Sequence, residues 1–374
     1  MIIKLKDFKE IATKILLATD DSTASNLKLR AKDQVLTLSV TNSEYFVCIK
    51  MPLETDEELT AVVDAKSFLN LIARLDTETF VLEVSDSTLF VKANKSSYKL
   101  AMIYDNAKLL DLPPIIIQNK TVEMNISKDI LESILNVNSK ELLKLKNLTD
   151  VNELQKLYYI DETGCFTFTS GACLNQFTLE KPVKLLLTDR VVKLFKLFKE
   201  DVYFSLGQDQ TPSGLIETKV SFETANIYLA ARVNCDEAWL NRVKGPCDAT
   251  NRHIRATYPY HLVLSTSELS AAINRLLLFT KNSTTDTNMA QVPIKATITD
   301  GELTLADEFD NCETITIENG VVEQPYEMMV NIADIKLVLD AYKDDHITLN
   351  CGANHVMVFT KGLVYNLLTE LKKK

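Results

Sequence analysis

The chain has 374 residues, more than one ordinary domain holds, and its 46% hydrophobic and 25% charged content excludes wholesale disorder. A formal net charge of −10 excludes a surface coated in nucleic-acid-binding groups, though not a local basic face. No apolar run reaches the roughly 18–20 residues of a membrane span, charges interrupt residues 1–10 where a secretory signal is apolar, and seven cysteines without a Cys-x-x-Cys read as reduced thiols of a cytoplasmic protein.

A short alternating strand followed by a capped amphipathic helix recurs along the chain. The strands begin near Ile2, Ala61, Val122, Val183, Leu262 and Glu327, at intervals of 59, 61, 61, 79 and 65 residues. The first helix carries Phe8, Ile11, Ala12 and Ile15 on one face. The second follows Asp64 with Phe68, Leu71, Ile72 and Leu75, the i, i+3, i+4, i+7 spacing of one helix side. Ser127 caps the third, with Ile130, Ile134 and Val137. Thr188 caps the fourth, with Val191, Leu194, Phe195 and Phe198. Thr266 or Ser267 caps the fifth, with Leu269, Ile273 and Leu276, and Asn331 caps the sixth, with Ile335, Leu339 and Tyr342.

Strands with period-two alternation follow each helix, such as Phe80–Val84, Leu89–Val91 and Ile347–Leu349. The odd-numbered units share a triplet: Leu36-Thr37-Leu38, Phe166-Thr167-Phe168 and Leu303-Thr304-Leu305. Units therefore pair, and three similar domains are expected at 1–120, 121–256 and 257–374. Leu112-Pro113-Pro114 ends the first pair. The surplus of the long interval falls between Arg232 and Pro259, where Trp239, Gly245, Pro246 and Asn251 suggest a linker without regular structure. The fold class is α+β, each domain having two helices packed on antiparallel sheet.

The basic residues ride on these helices. Lys6, Lys9 and Lys14 belong to the first, Lys66 and Arg74 to the second, and Lys140, Lys144 and Lys146 follow the third. Lys193, Lys196 and Lys199 lie off the apolar stripe of the fourth. Arg275 and Lys281 belong to the fifth, Lys336 and Lys343 to the sixth. Taken singly, each is a solvated helix face, diluted by Glu10, Glu132, Asp189 and Asp340. Taken together, they equally describe a shared, modestly basic face for sequence-independent phosphate contacts. No base-reading motif accompanies them.

Enzymatic signatures are missing. The nine glycines form neither of the phosphate-cradling patterns nor a nucleophile elbow. His253, His261, His346 and His355 show no metal-ligand spacing, and His346 and His355 read as flanking a hairpin. No carboxylate pair is singled out by spacing. No cofactor or metal is expected, and a dispersed catalytic site is the remaining enzymatic option.

The repeat, the length and several local motifs resemble the beta subunit of bacterial DNA polymerase III, the sliding clamp family. Phe168-Thr169-Ser170-Gly171-Ala172-Cys173-Leu174 is similar to that family's Ala-Thr-Asp-Gly-His-Arg-Leu, matching at Thr169, Gly171 and Leu174. Val330-Asn331-Ile332-Ala333-Asp334 is similar to its Phe-Asn-Val-Ser-Tyr, matching at Asn331. Trp239-Leu240-Asn241-Arg242-Val243 is similar to its Pro-Asp-Tyr-Arg-Arg-Val, with Arg242 and Val243 matching. The last strand, Leu363–Leu371, departs from the family's Met-Pro-Met-Arg-Leu ending.

The resemblance implies a hydrophobic pocket between the second and third domains, holding Thr169, Gly171, Leu174, Arg242, Val243, Asn331, Leu367 and Leu368, where partner peptides dock. By pattern alone, Leu174, Leu367 and Leu368 fit plain strand core. It further implies two copies closed head to tail, with Tyr98 and Leu100 meeting Leu278 and Phe279. Each chain would form half of a ring, with Lys9, Lys14, Lys66, Arg74, Lys140, Lys193, Lys196, Lys199, Arg275 and Lys336 facing duplex DNA. A polymerase and a clamp loader are the implied partners, and processivity the implied function. The competing expectation is a non-enzymatic interaction scaffold that does not bind DNA.

Overall fold

A computed structural model describes residues 1–19, 24–136, 157–168, 171–211, 213–233, 237–280, 292–320, 322–342 and 346–372. Val137, Lys140, Lys144, Lys146, Thr169, Lys281 and Lys343 lie outside the described residues. The chain forms two compact units, Met1–Glu132 with Arg190–Asn234, and Ser133–Asp189 with Cys235–Lys374.

The first unit opens with β1 (Ile2–Lys4), α1 (Leu5–Leu16) and a meander of β2 (Asn26–Lys32), β3 (Val35–Thr41) and β4 (Tyr45–Pro52). The pattern repeats as β5 (Leu59–Asp64), α2 (Ala65–Arg74) and the meander β6 (Thr79–Ser85), β7 (Thr88–Ala93) and β8 (Ser96–Ala101). A ribbon of β9 (Tyr104–Asp105) and β10 (Lys108–Leu109) follows. β11 (Lys120–Ile126) leads into α3 (Lys128–Asn136), along which the chain passes to the second unit. There lie β12 (Leu157–Asp161), β13 (Gly164–Thr167), β14 (Ala172–Gln176) and β15 (Lys184–Thr188). The chain returns at α4 (Asp189–Lys193) to add a 3₁₀ turn at Leu194–Leu197, then β16 (Val202–Gln210), β17 (Ile216–Glu223) and β18 (Ile227–Val233). The second unit resumes with α5 (Glu237–Ile254), β19 (Tyr260–Ser265), α6 (Thr266–Thr280), β20 (Pro293–Thr299), β21 (Glu302–Ala306) and β22 (Cys312–Asn319). It closes with β23 (Tyr326–Asn331), α7 (Ile332–Ala341), β24 (His346–Ala353), β25 (Val356–Lys361) and β26 (Val364–Thr369).

The strands named here all pair antiparallel, and the helices sit on the sheets as an α+β fold. Each strand that opens a half-repeat joins the meander of its sibling: β1 pairs β6 and β5 pairs β2. Likewise β11 pairs β16, β15 pairs β12, β19 pairs β24 and β23 pairs β20. β19 alone among these also pairs with its own meander, at the end of β22. The meanders then join edge to edge: β18 pairs β4 in the first unit, and β14 pairs β26 in the second. The triplets of the odd units lie on or run off the same middle strand, β3, β13 and β21.

Local chemistry explains the helices. Asp64 accepts the Ser67 backbone N–H at 2.7 Å, and Asn331 accepts that of Ala333 at 3.2 Å, so both cap as their sequence predicts. Ser127 Oγ accepts the Ile130 N–H at 3.4 Å. The fifth helix is capped one residue earlier than expected, by Ser265, whose Oγ accepts the Glu268 N–H at 3.3 Å. Phe8, Ile11, Ala12 and Ile15 are buried on α1, and Leu269, Ile273 and Leu276 on α6.

Two expectations need correction. The fourth helix is one α turn followed by a 3₁₀ turn. Its sequence, Val191-Val-Lys-Leu-Phe-Lys-Leu-Phe-Lys199, repeats every third residue, the period of a 3₁₀ helix. All six apolar residues of that run are buried, which a 3.6-residue turn would not achieve. The expected linker is instead an 18-residue helix, α5. Val243, Cys247 and Thr250 are buried at i, i+4 and i+7, and that packed face outweighs the N–H donor missing at Pro246. Thr250 Oγ1 donates to the Pro246 carbonyl at 2.9 Å, occupying an oxygen inside the helix.

Candidate functional site

The second unit carries an apolar site under α5. Val243 and Cys247 pack on Tyr159, Phe166, Leu174 and Leu186, with Phe168, Trp239, Leu240, Ile254 and Tyr365 half-buried around them. An adjoining cluster joins Val356, Val358 and Leu367 to Ala172, Tyr258 and the same Ile254 and Tyr365. The two clusters are thus one surface, spanning the β14·β26 joint where Leu174 faces Tyr365 and Ala172 faces Leu367. Gly171 is required there: a Cβ would sit 2.0 Å from the Leu367 carbonyl oxygen. The Arg242 guanidinium lies 4.5 Å from the Trp239 ring centre, a cation–π contact on the exposed side of α5.

The structure therefore brings Gly171, Leu174, Val243 and Leu367 together, with Arg242 at the rim. Leu368 lies beside Gly171, but its side chain points to the opposite strand face and packs in a different core with Val330, Ile332 and Phe359. Asn331 serves the fold: its Oδ1 accepts from Val292 N at 3.0 Å and its Nδ2 donates to Asp334 at 2.9 Å. Sequence reading misses Cys247, Ile254, Phe168 and Tyr365. The Val243, Cys247, Ile254 spacing is the available signal, hidden by the Gly245-Pro246 pair.

The basic residues fall on paired helices. In the first unit α1 packs on α2, with Phe8 edge-on to Phe68 at 5.9 Å. Lys9 donates to the Leu75 carbonyl at 2.7 Å, closing the end of α2, and Lys14 pairs with Glu10 at 2.9 Å. That ammonium holds the Glu10 carboxyl below its ordinary value. Lys66 and Arg74 are exposed on α2. Lys193 is half-buried, while Lys196 and Lys199 are exposed at three-residue steps beside the 3₁₀ turn. In the second unit Arg275 grips Glu313 through two bonds of 2.7 and 2.6 Å, which depresses the Glu313 carboxyl. Lys336 on α7 reaches Asn274 on α6 at 2.5 Å.

Of the expected joint residues, Tyr98 is exposed and Leu100 half-buried on β8, an edge strand. Leu278 and Phe279 are exposed by 64% and 54% at the end of α6. Arg275 and Glu313 link that helix to β22.

Among the described residues, no group of three His, Cys, Asp or Glu is placed to hold a metal ion, and no helix is long and apolar enough to cross a membrane. Burial pushes the Cys165 and Cys247 thiols up, so neither is a thiolate at neutral pH. His355 sits in the β24–β25 turn and contacts Glu370 at 3.2 Å, and His346 opens β24 beside Glu318 at 2.6 Å.

Residues 5–107 match the family model for the DNA polymerase III beta subunit, N-terminal domain. A beta sliding clamp of Helicobacter pylori strain J99 is 26% identical over 192 residues, covering 49% of this chain and 51% of that protein. The chain thus aligns with about half the length of the curated relatives it matches. The fold is similar throughout to the crystal structure of the beta subunit from the DNA polymerase of Streptococcus pyogenes: TM-score 0.78, 15% identity, 100% of this chain and 99% of that one. The Helicobacter pylori beta clamp bound to a DNA ligase peptide gives 0.70 at 17% identity, covering 100% and 99%. The DNA polymerase III beta subunit of Pseudomonas aeruginosa gives 0.77 at 14%, covering 100% of both chains.

Proposed function

We propose that this chain, a divergent relative of the DNA polymerase III beta subunit, works as a sliding clamp. Two copies close head to tail around duplex DNA and tether a replicative polymerase in the cytoplasm, catalysing no step themselves. Each chain supplies three clamp domains, 1–120, 121–256 and 257–374, and half of the ring.

The observation that carries this reading is the pattern of joints. The chain already joins one meander edge to another twice, at β4·β18 and β14·β26. Among the described residues, β8 and Cys312–Thr316 of β22 each keep one side unpaired, as a second copy requires. Edges of that length left bare invite uncontrolled pairing, and closing a ring removes them.

Retention is then topological. The ring needs weak, sequence-independent contacts, and the exposed Arg74, Lys196 and Lys199 offer them to phosphates. Lys9, Lys14, Arg275 and Lys336 already hold protein partners, which tempers the attraction and suits sliding over gripping. A partner's short apolar segment, from polymerase or clamp loader, would lie across Phe168, Trp239, Leu240, Ile254 and Tyr365. The peptide-bound Helicobacter clamp is the precedent for such docking on this fold.

The test compares nicked circular DNA with the same DNA linearised, after loading. Retention on the circle with escape from the linear form is expected. Equal escape from both refutes the topological account. A single-chain mass with no retention at low salt favours a protein-interaction scaffold instead.

A further inference from the structure

The helix over the apolar site consists of two halves that are fastened differently. Pro246 has no N–H to give the Arg242 carbonyl, so the turn joining Glu237–Gly245 to Pro246–Ile254 lacks one of its hydrogen bonds. In the first half, Val243 is buried with Tyr159 of β12, Phe166 of β13, Leu174 of β14 and Leu186 of β15. The second half reaches across the β14·β26 joint. There Ile254 and, just past the helix, Tyr258 pack on Val356, Val358 and Leu367 of β25 and β26. Both of these covering side chains are only half-buried.

The hydrogen bonds of residues 246–258 close within that segment. Thr250 Oγ1 donates to the Pro246 carbonyl, and the Arg255 and Ala256 N–H groups donate to the Asn251 and His253 carbonyls. The Tyr258 hydroxyl donates to the His253 carbonyl at 3.1 Å. Among the described residues, no hydrogen bond ties the segment to the sheet beneath it, and His253 Nδ1 is buried without a partner. The cover over the other joint is held by directed bonds. Tyr228 donates to the Ile115 carbonyl, and Asp209 accepts the N–H groups of Gln118 and Asn119. Lifting a bonded cover strands polar groups, whereas apolar contact has no direction and another apolar segment can replace it.

Both ends of the segment are fixed. Val243 is buried before it, and Tyr260 after it opens β19 and stacks on Tyr326 at 5.0 Å. A helix rises about 1.5 Å per residue, and extended chain spans about 3.3 Å. Unravelling Pro246–Ile254 therefore supplies the slack to clear the sheet with neither end moving. The outer face, with Asp248, Arg252 and Arg255, is already in water.

We propose that residues 246–258 form a strap over the docking site, which an incoming apolar segment unseats and replaces on β25 and β26. Closed, the strap shields Ala172, Val356, Val358 and Leu367. A segment landing on the rim keeps Phe168, Trp239, Leu240 and Tyr365 beneath it and displaces Ile254, the rim side chain that the strap carries. The site then admits partners whose large apolar side chains outcompete Ile254 and Tyr258, and it stays covered between partners. This rests on the docking reading of the apolar site.

Cys247 reports the state of the strap: it is 6% exposed when closed and meets solvent when Pro246–Ile254 unravels. The full chain is treated with N-ethylmaleimide, with and without the DNA ligase peptide bound by the Helicobacter pylori clamp, and the modified cysteines are mapped by mass spectrometry. Anisotropy of the fluorescently labelled peptide measures binding separately. Saturating peptide should speed modification of Cys247 at least tenfold and leave Cys165, buried on β13, unchanged. Ile254→Ala and Tyr258→Ala should each speed Cys247 without peptide and tighten peptide binding. Peptide that binds while Cys247 stays as slow or becomes slower overturns the strap and leaves the docking reading standing. Peptide that binds neither the parent nor the variants overturns the docking reading, and the strap's role with it.

Discussion

The Tyr228 hydroxyl donates to the Ile115 carbonyl oxygen at 2.9 Å, fastening the segment that follows the first ribbon onto the strand that joins β4. Ile115 is 2% exposed and packs on Phe46, Cys48 and Ala230, so the fastening closes a small core over the joint. Ile115→Ala should cost about 2–5 kcal/mol and Tyr228→Phe about 0.5–1.5 kcal/mol. Urea unfolding of each variant checks this, with the midpoint lowered and the slope unchanged.

Asp209 is the polar counterpart of that fastening. Its carboxylate accepts from the backbone N–H groups of Gln118 and Asn119 and from Lys219 at 2.9 Å. Burial alone would raise this carboxyl, but Lys219 and the two backbone donors outweigh it and hold it below the ordinary aspartate value. A lowered pKa adds stability above the unfolded value and loses it as pH falls through the folded one. Asp209→Asn should therefore cost about 1–3 kcal/mol at pH 7. The gap to the parent should narrow below about pH 4. Denaturation at pH 7 and pH 3 measures both.

Two glycines should respond differently. Gly171→Ala drives a methyl group into the Leu367 carbonyl and should cost about 1–3 kcal/mol by forcing β14 and β26 apart. Gly245 precedes Pro246 inside α5, where a Cβ meets the proline ring, so Gly245→Ala should lose its helix-propensity gain of about 0.5–1 kcal/mol to that clash and leave stability nearly unchanged. Thermal melts of the two variants decide it.

Substitutions at the apolar site should separate docking from folding. Trp239→Ala and Tyr365→Ala remove half-buried rim side chains and should weaken a polymerase-derived peptide tenfold or more, by about 1.4 kcal/mol or above. Leu368→Asp, by contrast, places a charge in the core around α7 and should unfold the protein. Peptide titration alongside circular dichroism distinguishes the two effects.

Lys196 and Lys199 carry the electrostatic prediction. Charge reversal at both should lower DNA retention at low salt and reduce the slope of log affinity against log salt by about 0.9 for each phosphate no longer neutralised. An unchanged slope removes them from the DNA-facing set.

Much of this fold is legible in the sequence, for reasons that differ by element. Asp64 and Asn331 announce helix starts because a cap is a local bond between near neighbours. Alternation announces strands, but not their partners, so nothing in Ile2–Lys4 says that it pairs with Thr79–Val81 and not with its own meander. The fourth helix misleads because Val191, Leu194, Phe195 and Phe198 satisfy a 3.6-residue stripe while Val192 and Leu197, equally buried, do not. At α5, punctuation by Gly245 and Pro246 masks a periodic face that tertiary packing makes decisive. The apolar site is half legible for the same reason: Leu174 and Leu367 stand out on strands, whereas Cys247 and Ile254 need the helix to exist first.

The exchange of opening strands sets a timetable for synthesis. Ile3 finds Phe80 only after 77 further residues (80 minus 3) have been added, roughly 4–15 s at ribosomal speeds. Until then β1 trails the ribosome without its strand partner, while α1 already has β3 and β4 to pack on, and the unpaired opening strand is most exposed to chaperone capture or misassociation during that interval.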